Sequence, residues 1–150
     1  VALRSIGLFV LAITLSACSE TPYTNLNNEQ LESLLAQGVP VYDIRRPPEW
    51  QQTGIIEGSR LMTFVDADGR VLPDFLTRFT RQTDINEPVI LICRTGNRTR
   101  TLARYLTEDR GYTRVYNVRN GILDWIREDG AVTGIGHTES NIAREAGAEL

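Results

Sequence analysis

An α/β domain, with a mostly parallel sheet and helices on both of its faces, is the fold this sequence predicts. Three observations carry the prediction. Short apolar, β-rich runs alternate along the chain with segments of helical spacing, the order that builds parallel sheets. One run, Pro88–Cys93, is apolar at every position after the proline, as a strand covered on both faces requires. The chain has 150 residues, enough for one domain with a real core and too few for two.

The elements follow in order. Asn27 with Gln30 three residues on marks a helix start, Leu31, Leu34 and Leu35 recur at helical spacing, and Gly38 stops the helix. Val39–Ile44 reads as a strand ending ahead of Pro47-Pro48, and Ser59–Met62 as a second strand. A turn at Asp66–Gly69 leads to a helix over Pro73–Gln82 with Phe75, Leu76 and Phe79 on one face. After the Pro88–Cys93 strand, a helix runs from Thr99 to Arg110, a strand covers Arg114–Val118, and a short helix over Gly121–Glu128 buries Ile122, Trp125 and Ile126. Residues 131–150 thin out in apolar content and read as a loose or weakly helical tail.

Composition narrows the function classes. With 41% hydrophobic and 23% charged residues the chain reads as globular rather than fibrous or disordered. Its formal net charge is -3 with no long basic run, which argues against duplex nucleic acid, an affinity that rests on neutralising phosphates.

The first seventeen residues stand apart. Arg4 precedes an apolar run from Ile6 to Leu15, followed by Leu15-Ser16-Ala17-Cys18, a secretory signal pattern. A transmembrane helix needs ~20 apolar residues, and a buried N-terminal helix would show a polar face to water. The ending resembles the lipobox of bacterial lipoproteins. That resemblance implies cleavage before Cys18, lipidation of its thiol, and a tether from residue 18 to 26. Several acyl chains meet the requirement of stable anchoring for more than one lipid signal. Ser19, in place of aspartate, then favours the outer membrane, with the domain on the periplasmic face of the bacterial cell envelope. Lipidation of Cys18 leaves Cys93 as the one free thiol, which excludes an intrachain dithiol cycle.

Cys93 sits at the carboxyl end of the strongest strand, where parallel sheets hold their ligands. The loop Cys93-Arg94-Thr95-Gly96-Asn97-Arg98 then leads into a helix. Backbone N–H groups and the helix's positive end converge there and favour an anion, so a cysteine at that point is expected to be a thiolate near neutral pH. Arg94, Arg98 and Arg100 are cations placed against the helix dipole, which points to an anionic ligand offsetting them. The competing reading is an inert core cysteine with solvated arginines.

The loop resembles the rhodanese active-site pattern Cys-Arg-x-Gly-x-Arg. Three further segments match in order: Asp43-Ile44-Arg45 with Pro48-Glu49-Trp50; Gly54–Ser59, where Ile55 stands for the usual His; and Val115–Gly121 with Trp125, where Asn120 replaces the first of two glycines. The resemblance covers residues 27 to about 128, within a domain bounded at 27–130. It implies a three-layer α/β/α fold with a mostly parallel five-stranded sheet. It also implies a sulfurtransferase in which Cys93 carries sulfane sulfur as a persulfide. The donor would be thiosulfate or a similar anion, and the acceptor a thiol or cyanide, with Arg94, Thr95, Gly96, Asn97 and Arg98 binding the donor. No cofactor is implied. Asp43 and Arg45 are read as a structural ion pair, and Arg119 and Asn120 as shaping the entrance. The enzymatic alternative is a cysteine phosphatase or arsenate reductase of the same fold. Its loop carries arginine one position later, where this chain has Thr99. The other alternative is a non-catalytic binding module. A metal site lacks ligands: one thiol and one distant histidine, His137, cannot close a zinc site.

Overall fold

The computed structural model describes residues 21–136. The expected signal segment 1–17, Cys18 and His137 lie outside them. Ten elements alternate: β1 (Thr24–Leu26), α1 (Asn28–Ala36), β2 (Val41–Asp43), α2 (Pro47–Thr53), β3 (Arg60–Leu61), α3 (Phe75–Gln82), β4 (Val89–Ile92), α4 (Asn97–Glu108), β5 (Val115–Val118) and α5 (Gly121–Arg127). The five strands form one sheet in the order β1-β5-β4-β2-β3, and every pairing is parallel. All strands therefore end on the same rim, and β4 ends at its middle.

Alternation along the strands splits the core in two. On one face Tyr42, Ile44, Leu91 and Cys93 pack with Phe75 and Phe79 of α3 and Leu102, Ala103 and Leu106 of α4. On the other, Val41, Ile90, Ile92 and Val118 pack with Leu31 of α1 and Ile122 and Trp125 of α5. All four β4 residues are buried, which explains their unbroken apolar run. The first face is rich in rings: Phe75 stacks on Phe79 at 5.7 Å and meets Phe64 edge-on at 4.8 Å, both favourable ring arrangements. The α1 start is a full capping box, with Asn27 Oδ1 accepting from the Gln30 amide at 2.8 Å and Gln30 Oε1 from the Asn27 amide at 3.0 Å.

The structure departs from the sequence reading in four places. Residues 24–26, expected within the tether, are the edge strand β1, paired with Tyr116–Val118. Their polar composition hid them, because an edge strand with one buried residue needs no apolar run. Pro47-Pro48 does more than end β2: it opens α2, at positions where a helix has no use for the missing N–H. Helix α4 begins two residues earlier than expected, at Asn97, and closes at Glu108. The start of the expected tail is packed: Thr133 exchanges backbone hydrogen bonds with Ile55 at 2.8 and 2.9 Å, and Trp125 Nε1 donates to Ala131 O at 3.0 Å.

Candidate active site

Cys93 follows directly from β4, and the loop after it turns sharply enough to start α4 three residues after the thiol's own neighbour. Gly96 makes the turn, at φ 84°. A Cβ there would lie 1.9 Å from the Arg119 carbonyl oxygen, so both the left-handed backbone and the close approach to the end of β5 require glycine. In this conformation the Gly96 N–H donates to Cys93 Sγ at 3.2 Å, and the Thr99 hydroxyl lies 3.4 Å from the same sulfur. Thr99 Oγ1 also donates to Gly96 O at 3.1 Å. The twelve-residue α4 points its positive end at the sulfur from one turn away. Cys93 itself has no exposed surface.

Helix α5 holds the other side of the loop. The Ile122 amide donates to Cys93 O at 2.9 Å and the Leu123 amide to Arg94 O at 3.2 Å. Tying these loop carbonyls outward to α5 is compatible with the Gly96 N–H turning toward the sulfur. Gly121 permits this contact: at φ 67°, its absent Cβ would sit 2.5 Å from Cys93 O and from the Arg94 carbonyl.

The arginines divide into two kinds. Arg94 is exposed and makes no ion pair among the described residues. Arg100 is exposed and donates to Asn97 Oδ1 at 3.1 Å. Arg98, expected to offer its charge to a donor, is instead paired end-on with Glu49, at 2.6 Å for Nη2–Oε1 and 2.9 Å for Nη1–Oε2. The Arg46 amide and side chain also donate to Glu49 Oε2, at 3.0 and 3.4 Å. Burial alone would push the Glu49 carboxyl up, but these hydrogen bonds and the Arg98 charge outweigh it and hold it at about 2. The same bonds to Glu49 hold Arg98 above its ordinary value, and Arg98 is close enough to feel the Cys93 sulfur as well. The offset expected from an anionic ligand is therefore met, for Arg98, by a carboxylate of the chain itself.

Asp43 and Arg45 form the structural pair expected of them. Both are fully buried, with Arg45 Nη2 to Asp43 Oδ2 at 2.6 Å and Nε to Oδ1 at 2.9 Å. The remaining Arg45 donors reach Glu49 O, Thr53 Oγ1 and Gly54 O, so each charged group is satisfied and α2 is stapled to the end of β2. Of the expected donor-binding set, the structure brings Gly96 to the Cys93 sulfur and turns Arg98 to Glu49. Arg94, Thr95 and Asn97 lie exposed on the rim beside it, with Arg119 and Asn120.

Residues 27–128 match the profile of the rhodanese-like domain. The chain belongs to the rhodanese-like family. Among curated relatives of this rhodanese-like chain, thiosulfate sulfurtransferase GlpE of Ectopseudomonas mendocina is 31% identical over 103 residues, covering 69% of this chain and 84% of the relative. GlpE of Pseudomonas syringae pv. syringae is 28% identical over 105 residues, covering 70% and 89%. A rhodanese-related protein from Thermoplasma volcanium superposes with a TM-score of 0.59 at 24% identity, covering 74% of this chain and 98% of that one. That likeness shows the rhodanese fold.

Three contributors to the rhodanese-like site escaped the sequence reading: Glu49 as the partner of Arg98, the Thr99 hydroxyl, and the α5 amides on the loop carbonyls. Glu49 lies 49 residues from Arg98, on a helix the reading had not placed. Thr99 was visible as the residue in the phosphatase arginine's position, but nothing local gave it a task. Among the described residues no cluster of three His, Cys, Asp or Glu side chains could hold a metal ion, and no helix is long and apolar enough to cross a membrane.

Proposed function

We propose that this chain is a sulfurtransferase that moves sulfane sulfur from an anionic donor of the thiosulfate class to a thiol or cyanide through a persulfide on Cys93. One observation carries the reading: a cysteine at the carboxyl end of the central strand whose sulfur accepts the Gly96 N–H at 3.2 Å and faces the start of α4. Those groups favour negative charge on that sulfur, both as thiolate and after it takes a second sulfur.

In the first half-reaction the Cys93 thiolate attacks the outer sulfur of thiosulfate. The new S–S bond forms as the donor's own S–S bond breaks, and the electron pair leaves on sulfite. In the second, an acceptor thiolate or cyanide attacks the outer sulfur of the persulfide, and the Cys93 thiolate is released again. Neither step needs a general base, which fits the lack of any histidine among residues 21–136. Cys93 has no exposed surface, so each attack requires an opening that this conformation does not offer. The phosphatase alternative is weakened by Arg98, whose guanidinium already answers a carboxylate.

Intact-mass measurement after incubation with thiosulfate tests the proposal. One added sulfur atom is expected, lost on cyanide treatment and absent in Cys93→Ser. Hydrolysis of an aryl phosphate without any sulfur gain would reverse the choice in favour of a phosphatase.

The reading extends to the leader. Cys18, lipidated, anchors the domain at the periplasmic face of a bacterial cell envelope. Metabolic labelling with a palmitate analogue should mark the full chain and fail to mark Cys18→Ser. Equal labelling of both would remove the anchor from the proposal.

A further inference from the structure

Arg98 lies in the first turn of α4, five residues after Cys93, on the loop that carries the sulfur. Its two terminal nitrogens are taken by Glu49, and it also lies close enough to Cys93 to feel the sulfur. Glu49 answers the guanidinium end-on, with both carboxylate oxygens engaged. Glu49 in turn is held from behind. Its Oε2 accepts from the Arg46 amide at 3.0 Å, and its helix is fixed to the end of β2 by buried Arg45, through Glu49 O, Thr53 Oγ1 and Gly54 O. The line of support runs from the sheet, through α2, to one guanidinium beside the nucleophile. The end-on geometry holds that guanidinium in one place, and a planar fork of this kind loses its orientation when the carboxylate is removed.

We propose that Glu49 is a positioning residue for sulfur transfer, which acts through Arg98 by fixing its guanidinium beside the Cys93 sulfur and cancelling its charge. The assignment rests on the sulfurtransferase reading above. It separates two jobs that the loop pattern alone assigns to one set of arginines. Arg98 steadies the reacting sulfur without drawing in donor, and the attraction of the donor falls to exposed Arg94, which makes no ion pair among the described residues. Removing the carboxylate then has opposite effects on the two. The mouth becomes one charge more positive, so an anionic donor binds no worse or better. The freed guanidinium leaves its place, so transfer slows.

The test uses the purified chain. Glu49→Gln is expected to lower kcat with thiosulfate and cyanide at least tenfold while KM for thiosulfate falls or holds. A second readout does not depend on sulfur transfer: the rate of Cys93 alkylation by anionic iodoacetate relative to neutral iodoacetamide. That ratio should rise severalfold in Glu49→Gln, fall in Arg98→Gln, and return near the wild-type value in the double variant, because the two charges cancel. Should Glu49→Gln fail to fold, Glu49→Asp keeps the charge but is too short to reach both nitrogens, and should lower kcat with the ratio unmoved. Unchanged kcat together with an unchanged ratio in Glu49→Gln overturns the proposal. So does a raised KM with an unmoved ratio, the pattern of simple loosening. Wild-type protein that gains no sulfur while the ratios follow the expected pattern would overturn the sulfurtransferase reading and leave Glu49 assigned to Arg98.

Discussion

Replacing Gly121 by alanine probes how far the reactive loop depends on α5. The added Cβ would stand 2.5 Å from Cys93 O and from the carbonyl carbon and oxygen of Arg94, all backbone atoms that no rotamer change can clear. The backbone is also left-handed there, at φ 67°. That conformation costs a non-glycine residue ~1 kcal/mol. Parting the loop from α5 removes the Ile122–Cys93 and Leu123–Arg94 hydrogen bonds, ~1 kcal/mol each. The sum is ~3 kcal/mol, a fall in Tm of ~12 °C at ~4 °C per kcal/mol for a domain of this size. Gly38→Ala is the control: its φ is 74°, but its Cβ would meet nothing within 4 Å. It should cost the backbone term alone, ~4 °C. Calorimetry gives both Tm values, and intact mass after thiosulfate gives sulfur loading. Loading should fall steeply in Gly121→Ala and stay normal in Gly38→Ala. Equal losses of Tm with normal loading in both would refute the idea that α5 shapes the loop.

Two further outcomes are expected. Glu49 has a carboxyl held at about 2 in the fold against an ordinary value of 4.5. Its contribution to stability is thus complete above the ordinary value and disappears as pH falls toward about 2. On the order of 2 kcal/mol is involved. The difference in urea-unfolding free energy between wild type and Glu49→Gln should be level above pH ~5 and shrink between there and pH ~2; an equal difference at both ends would contradict it. Thr99→Val removes the hydroxyl 3.4 Å from Cys93 Sγ and should slow sulfur loading ~10-fold, equivalent to ~1.4 kcal/mol. Thr99→Ser should restore most of it, and equal rates in all three proteins would strip Thr99 of any part.

What the sequence made legible was whatever lay within a few residues. The β4 run, the Asn27–Gln30 cap and the cysteine at a strand end each carry a local pattern, and the structure places them as expected. The Asp43–Arg45 pair was legible for the same reason, being two residues apart. What failed was long-range or unpatterned. Arg98 looked like a free cation because its neutralising partner lies 49 positions upstream. Pro47-Pro48 looked like a stop because two prolines end a strand as readily as they open a helix. Strand β1 has three residues and no periodicity at all, so only its pairing with β5 reveals it.

That strand sets the length at which the domain can be handled. The family match spans 27–128, and a chain cut to those limits would leave out β1 and Thr133. Strand β5 would then become the outer strand, with an unpaired row of N–H and C=O groups open to a neighbour. Asn117 would lose the Asn25 amide oxygen it donates to at 2.8 Å, Arg119 would lose the Leu26 carbonyl that holds its amide at 3.1 Å, and Ile55 would lose its bridge. Since the Arg119 carbonyl is what Gly96 packs against, trimming the edge would loosen the Cys93 turn two strands inward. The shortest piece suited to expression and crystallisation therefore begins no later than Tyr23 and ends no earlier than Thr133. A piece chosen by sequence similarity alone should aggregate and react poorly for reasons unrelated to its chemistry.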